Sequence, residues 1–150
     1  MKILWPVLTV LMAALIFYSS SMPGDESGEA SLSIVLRVQQ FIPIDDDLLH
    51  FLVRKAAHFT VYAILAFNLA NSLKFHMANK KAVLLTAWVG ASIYGITDEI
   101  HQYFVPGRHM SVMDMGINSA GALLGAVFVY LLIMKTRKEA GQDAAPTVMM

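Results

Sequence analysis

Lys55, His58 and Tyr62 are spaced i, i+3, i+7, which puts an ammonium, an imidazole and a phenol on one helix face. Tyr94, Asp98, His101 and Gln102 share a second face, with Glu99 about 100° round from Asp98 and able to pair with Gln102 at i+3. Ser111, Asp114, Asn118 and Gly121 form a third stripe at i, i+3, i+7 and i+10. His58, Asp98 and His101 are the candidates for acid–base chemistry, because imidazole and carboxylate are the usual proton carriers. Lys55, Tyr62, Glu99, Gln102, Arg108, Ser111, Asp114 and Asn118 would add charge and hydrogen bonds for a polar or anionic ligand, with Arg108 able to grip a phosphate or carboxylate bidentately. His58, Asp98, His101 and Asp114 offer nitrogen and oxygen donors, but their spacing matches no zinc signature such as H-E-x-x-H, and neither metal nor other cofactor is expected. No nucleophile-elbow motif surrounds Ser111. Plainer readings exist for each residue: interhelical hydrogen bonding for His58, Ser111 and Asn118, neutralisation of Arg108 for Asp98 and Glu99, and interfacial rings for Tyr62 and Tyr94. Acids near a helix C-terminus oppose its dipole, which tips Asp98 and its neighbour His101 toward function.

The chain that must position these groups has 150 residues, 57% apolar and only 15% charged. A soluble domain carries about a quarter charged residues, so the composition is that of a small integral membrane protein of one domain. Eleven basic and eleven acidic side chains cancel, which excludes a simple polycation for nucleic acid. The absence of cysteine excludes disulfides, thiolate metal sites, a cysteine nucleophile and lipoprotein acylation. Four apolar runs, at 3–19, 54–73, 82–104 and 112–134, approach the roughly 20 residues that cross a bilayer. The expected fold is therefore all-α, an integral-membrane four-helix bundle over residues 1–138, with a disordered cytoplasmic tail at 139–150. Lys2, the first run and Ser19–Ser21 mimic a cleaved leader, but the run is long and Tyr18 is bulky, so a retained span is expected. Gly121-x-x-x-Gly125 suits close helix packing in lipid.

Basic residues orient the spans. With the N-terminus inside, Lys2, Lys74, Lys80, Lys81, Lys135, Arg137 and Lys138 are cytoplasmic and Arg37, Arg54, Lys55 and Arg108 are external, seven against four. Both termini are then cytoplasmic, and Ser20–Val53 becomes an external loop. Within it, Ser31–Phe41 reads as a short surface helix, and Asp45, Asp46 and Asp47 as the start of the second helix. Measured from the cytoplasmic lysines at 1.5 Å per residue, His58, Asp98 and Asn118 all lie about 25 Å along their helices. Three helices thus bring polar groups to one level near the outer face, and the site is expected to open outward. Pro106-Gly107 turns the third helix into the fourth. Ionisable groups at that depth are costly and by default functional.

Lys55-x-x-His58-Phe59-x-x-Tyr62 and the long block from Asp98-Glu99-x-His101-Gln102 through Pro106-Gly107-Arg108, Ser111, Asp114 and Asn118 to Gly121 resemble the VanZ-like family, as does Pro23-Gly24-x-x-Ser27. Val61 departs from the pattern, in which an acid is expected before the tyrosine, so no role for that acid is carried over. The resemblance covers nearly the whole chain and implies a multi-pass protein of the bacterial plasma membrane, associated with resistance to teicoplanin, a lipid-bearing glycopeptide. It supplies a phenotype and no reaction. Two functions follow as expectations: binding or shielding of a lipid-linked envelope precursor or lipoglycopeptide at the outer leaflet, or a small membrane enzyme in which His58, Asp98 and His101 act on a lipid-linked substrate.

Overall fold

Each apolar run folds as a helix whose ends are set by local polar chemistry. The computed structural model describes residues 2–24, 32, 35–39 and 45–143, with side chains described as far as Thr136. Ser27, much of the expected helix over Ser31–Phe41 and the end of the tail, 144–150, lie outside the described residues; 35–39 are helical. The long helices are α1 (Leu4–Ser20), α2 (Asp46–Leu73), α3 (Lys80–Tyr103) and α4 (Val112–Asp143). Among the described residues there is no strand, so the all-α class is observed.

α2 starts ahead of its apolar run because Asp45 caps it: the Asp45 carboxylate accepts the Leu48 N–H at 3.1 Å, and Asp46 and Asp47 occupy the first turn, where the helix dipole favours anions. Asn79 caps α3 by accepting the N–H groups of Lys81 and Ala82. Ser111 caps α4, its hydroxyl accepting the Asp114 N–H at 3.2 Å. One expectation needs correction. α4 continues to Asp143, so residues 139–143 are helical rather than disordered. Lys135, Arg137, Lys138, Glu139 and Ala140 are good helix formers, and adding residues to an existing helix needs no new nucleus.

Contacts fix how the helices run. Tyr94 donates to the Ala13 carbonyl and Gln102 to the Ser20 hydroxyl, so α3 is parallel to α1. Phe59 meets Gly121 and Ala63 meets Gly125, so α4 is parallel to α2. Trp88 donates to Ser119, and Lys80 lies at Met134, so α3 and α4 are antiparallel. α2 is the central helix, packed against the other three.

The core is unusual in composition. Its buried residues are mostly small or polar: Ala66, Ala70, Ala87, Ala91, Ala122 and Ala126, with Asn68, Asn71, Asp98, Glu99, Gln102 and Asn118. Large apolar side chains such as Leu11, Leu15, Ile93, Phe128 and Leu131 point outward instead. A water-soluble bundle does the reverse; this arrangement suits lipid, where association is driven by close backbone packing and polar contacts. By length and composition, Asp46–Leu73 and Val112–Thr136 are sufficient to cross a membrane.

Candidate functional site

Lys55 and His58, one helical turn apart on α2, face the beginning of α4. Lys55 Nζ donates to Asp114 Oδ1 at 2.6 Å, and both side chains are largely buried. One turn further along both helices, His58 Nδ1 meets Asn118 Oδ1 at 3.2 Å. The close parallel run of α2 and α4 makes this register possible. Gly95 on α3 opens the third side: a Cβ there would lie 3.0 Å from Asn118 and 3.2 Å from Tyr62, close enough that these side chains would have to give way by a few tenths of an ångström.

α3 contributes Glu99, which is 0% exposed. Its Oε2 accepts the Ser111 N–H at 3.0 Å, which places a carboxyl oxygen on the N-terminus of α4. Its other oxygen, Oε1, lies 3.8 Å from His58 Nδ1 and has no hydrogen-bond partner, as is also true of Asn118 Nδ2. Buried polar atoms are nearly always satisfied, so two such atoms at one place mark a site built for something besides packing. Among the described residues, His58, Glu99 and Asp114 each offer one ligand atom within 4.8 Å of the others.

The remaining expected residues form a second patch on the α1 side. Asp98 accepts from Gln102 at 3.1 Å, and the same amide donates to Ser20 Oγ at 3.2 Å. His101 Nε2 lies 3.1 Å from Ser21 Oγ, and its ring stacks on Phe17. Arg108 donates to the Ser19 carbonyl at 3.1 Å. Burial pulls the Arg108 guanidinium below its ordinary range and Arg54 adds to this, while Asp98 and Glu99 act the other way; it stays a cation.

The face shared by Tyr94, Asp98, His101 and Gln102 therefore exists, but it fronts α1. Gln102 pairs with Asp98 at i+4 and not with Glu99 at i+3, because Glu99 turns away to the N-terminus of α4 and to His58. Glu99 is the acid at the centre. Its face could have been found from Trp88, Ser92 and Gly95, spaced toward Glu99 at i+4, i+3 and i+4, of which Trp88 and Ser92 bind Ser119 on α4. Ser19, Ser20 and Ser21 were not expected at the site; their leader-like spacing concealed three polar partners.

Fold and site together describe an all-helical protein with two helices long and apolar enough to cross a membrane and a cluster of buried polar and charged side chains. The chain matches the VanZ/LLP1 family model over residues 5–134 and belongs to that family. No curated protein and no solved structure matches it.

Proposed function

We propose that the protein is a multi-pass protein of the bacterial plasma membrane, with four spans, cytoplasmic termini and a polar site open to the outer face. In this reading the site binds or shields a lipid-linked envelope precursor or a lipoglycopeptide, and expression lowers susceptibility to teicoplanin-type drugs. Convergence carries the reading: Lys55, His58, Glu99, Asp114 and Asn118 come from three helices into one buried cluster whose cost only function or strong mutual pairing offsets. The seven-to-four basic asymmetry supports the orientation. Tags after Met150 and in the Lys74–Lys81 connection should both read cytoplasmic; an external reading for either refutes the outward site. The functional test compares inhibitory concentrations with and without the gene in one host. The expected result is a larger rise for teicoplanin, whose lipid tail enters the outer leaflet, than for vancomycin. Equal values at confirmed membrane expression refute it.

One observation favours the enzymatic reading of the same cluster. An imidazole beside a carboxylate oxygen that has no hydrogen-bond partner is the arrangement a proton-transfer couple needs. Turnover of an envelope lipid by purified protein, lost in His58→Ala, would select it over simple binding.

A further inference from the structure

Three buried carboxyl groups, Asp98, Glu99 and Asp114, lie close together, with Lys55 bonded to Asp114 and with Arg54 and Arg108 acting on the cluster electrostatically. The Glu99 oxygen without a hydrogen bond is the one turned toward His58. A buried oxygen without a hydrogen-bond partner thus stands where three good donor atoms converge. We propose that His58, Glu99 and Asp114 bind a divalent first-row transition-metal ion. The donor set, one imidazole nitrogen and two carboxylate oxygens, suits zinc, manganese or iron and is too nitrogen-rich for calcium or magnesium. The three donor atoms lie within 4.8 Å of one another, and the 3.8 Å between His58 Nδ1 and Glu99 Oε1 is about half an ångström longer than the donor–donor edge of a tetrahedral zinc site with bonds near 2.05 Å, so an ion would draw the three side chains inward. No sequence signature announces the site because its ligands come from three helices, one each from α2, α3 and α4.

Lys55 is the competitor. Its ammonium holds Asp114 Oδ1, leaving the second carboxylate oxygen to the ion, and it opposes the ion's charge. Metal binding also displaces any proton on His58 Nδ1, which now faces Asn118 Oδ1. Three protein ligands leave coordination positions open, and in the proposed function these would take an anionic oxygen of the envelope ligand. That last step rests on the proposed function; the metal site does not.

The test uses the full chain in detergent micelles, purified through a tag without histidines, stripped with chelator and titrated with Co2+. One equivalent should produce visible d–d absorption that Zn2+ abolishes. His58→Ala and Glu99→Gln should weaken binding at least about tenfold, the smallest loss typical even of outer-shell changes. Lys55→Met should tighten it, an outcome that a purely structural Lys55 would not produce. X-ray absorption of the zinc-loaded wild type, which needs no variant to fold, should show a single imidazole. No Co2+ spectrum, unchanged affinity in both ligand variants, or two or more imidazoles drawn from His50, His76, His101 or His109 overturns the proposal. Should wild type bind no metal while cluster variants still lose drug protection, the metal site falls and the proposed function stands. Metal binding with no drug protection gives the converse.

Discussion

Gly121→Ala should destabilise the protein even though alanine is the better helix former. A Cβ at Gly121 would lie 2.1 Å from the Phe59 carbonyl oxygen and 2.9 Å from its carbon. Both are backbone atoms and cannot rotate away. Real Cβ contacts essentially never fall below 3.0 Å, so α2 and α4 must part by about 0.9 Å at this crossing. His58 and Asn118, bonded across the same crossing at 3.2 Å, would then separate beyond hydrogen-bonding range. Overpacking costs about 1–3 kcal/mol, and the lost interhelical hydrogen bond adds about 0.6 kcal/mol, the average measured in a membrane protein. Against this stands a gain of about 0.5–1 kcal/mol from replacing glycine within a helix. The net expectation is a loss of about 1–3 kcal/mol. Gly116 supplies the control on the same helix: nothing lies within 4 Å of its Cβ position, so Gly116→Ala should keep the propensity gain and lose nothing. The two alanines should therefore move stability in opposite directions. Unfolding in mixed micelles, followed by tryptophan fluorescence, can resolve this, since Trp88 bonds to Ser119 on α4 and reports its separation from α3. Gly121→Ala within about 0.5 kcal/mol of wild type, or matching Gly116→Ala, would refute the close-packing argument.

Gly24→Ala should loosen the end of the bundle, because a Cβ there would meet the Gly107 carbonyl oxygen at 2.0 Å; faster hydrogen exchange at Arg108 N–H is the readout, and unchanged exchange counts against it. Lys55 and Asp114 should behave as one unit in a double-mutant cycle: Asp114→Asn alone should cost about 3–5 kcal/mol by stranding a buried ammonium, and much less when combined with Lys55→Met. A coupling below about 0.5 kcal/mol would show that the pair is not energetically linked. His101→Ala should leave drug protection near wild type, because His101 packs on Phe17 and Ser21, whereas His58→Ala should abolish it; equal losses would refute the separation of the two patches.

Periodicity carried most of the fold. The apolar runs gave helices within a few residues of where hydropathy placed them, apart from the early start of α2 and the late end of α4. The first exception rests on the Asp45 cap and the second on the helix propensity of a polar, charged segment, neither of which hydropathy measures. His58 and Asn118, placed at equal distances along their helices, do meet. What periodicity could not provide is which neighbour each face meets. Asp98 and Glu99 are adjacent in sequence, and a 100° step separates Asp98, which meets Gln102 and Tyr62, from Glu99, which meets the start of α4. Assigning the wider polar stripe to the site favoured Asp98 and His101, while the geometry turns Glu99 inward.

The glycines explain why the widely separated motif blocks belong together. Gly107 adopts φ +71°, a conformation that glycine enters without strain, and this turns the chain between α3 and α4. Gly24 donates its N–H to the Pro106 carbonyl at 3.1 Å and lies against Gly107 backbone to backbone. The segment after α1 is thereby pinned to the turn that carries Arg108, and Arg108 in turn reaches the Ser19 carbonyl. At the other side of the cluster, Gly121 brings α4 onto Phe59 and aligns Asp114 and Asn118 with Lys55 and His58. Each glycine removes a side chain where two backbones must touch, and each contact holds an element that delivers a charged or polar group. Position rather than chemistry is what these residues contribute. A substitution at any of them should disturb the cluster without altering one of its functional groups.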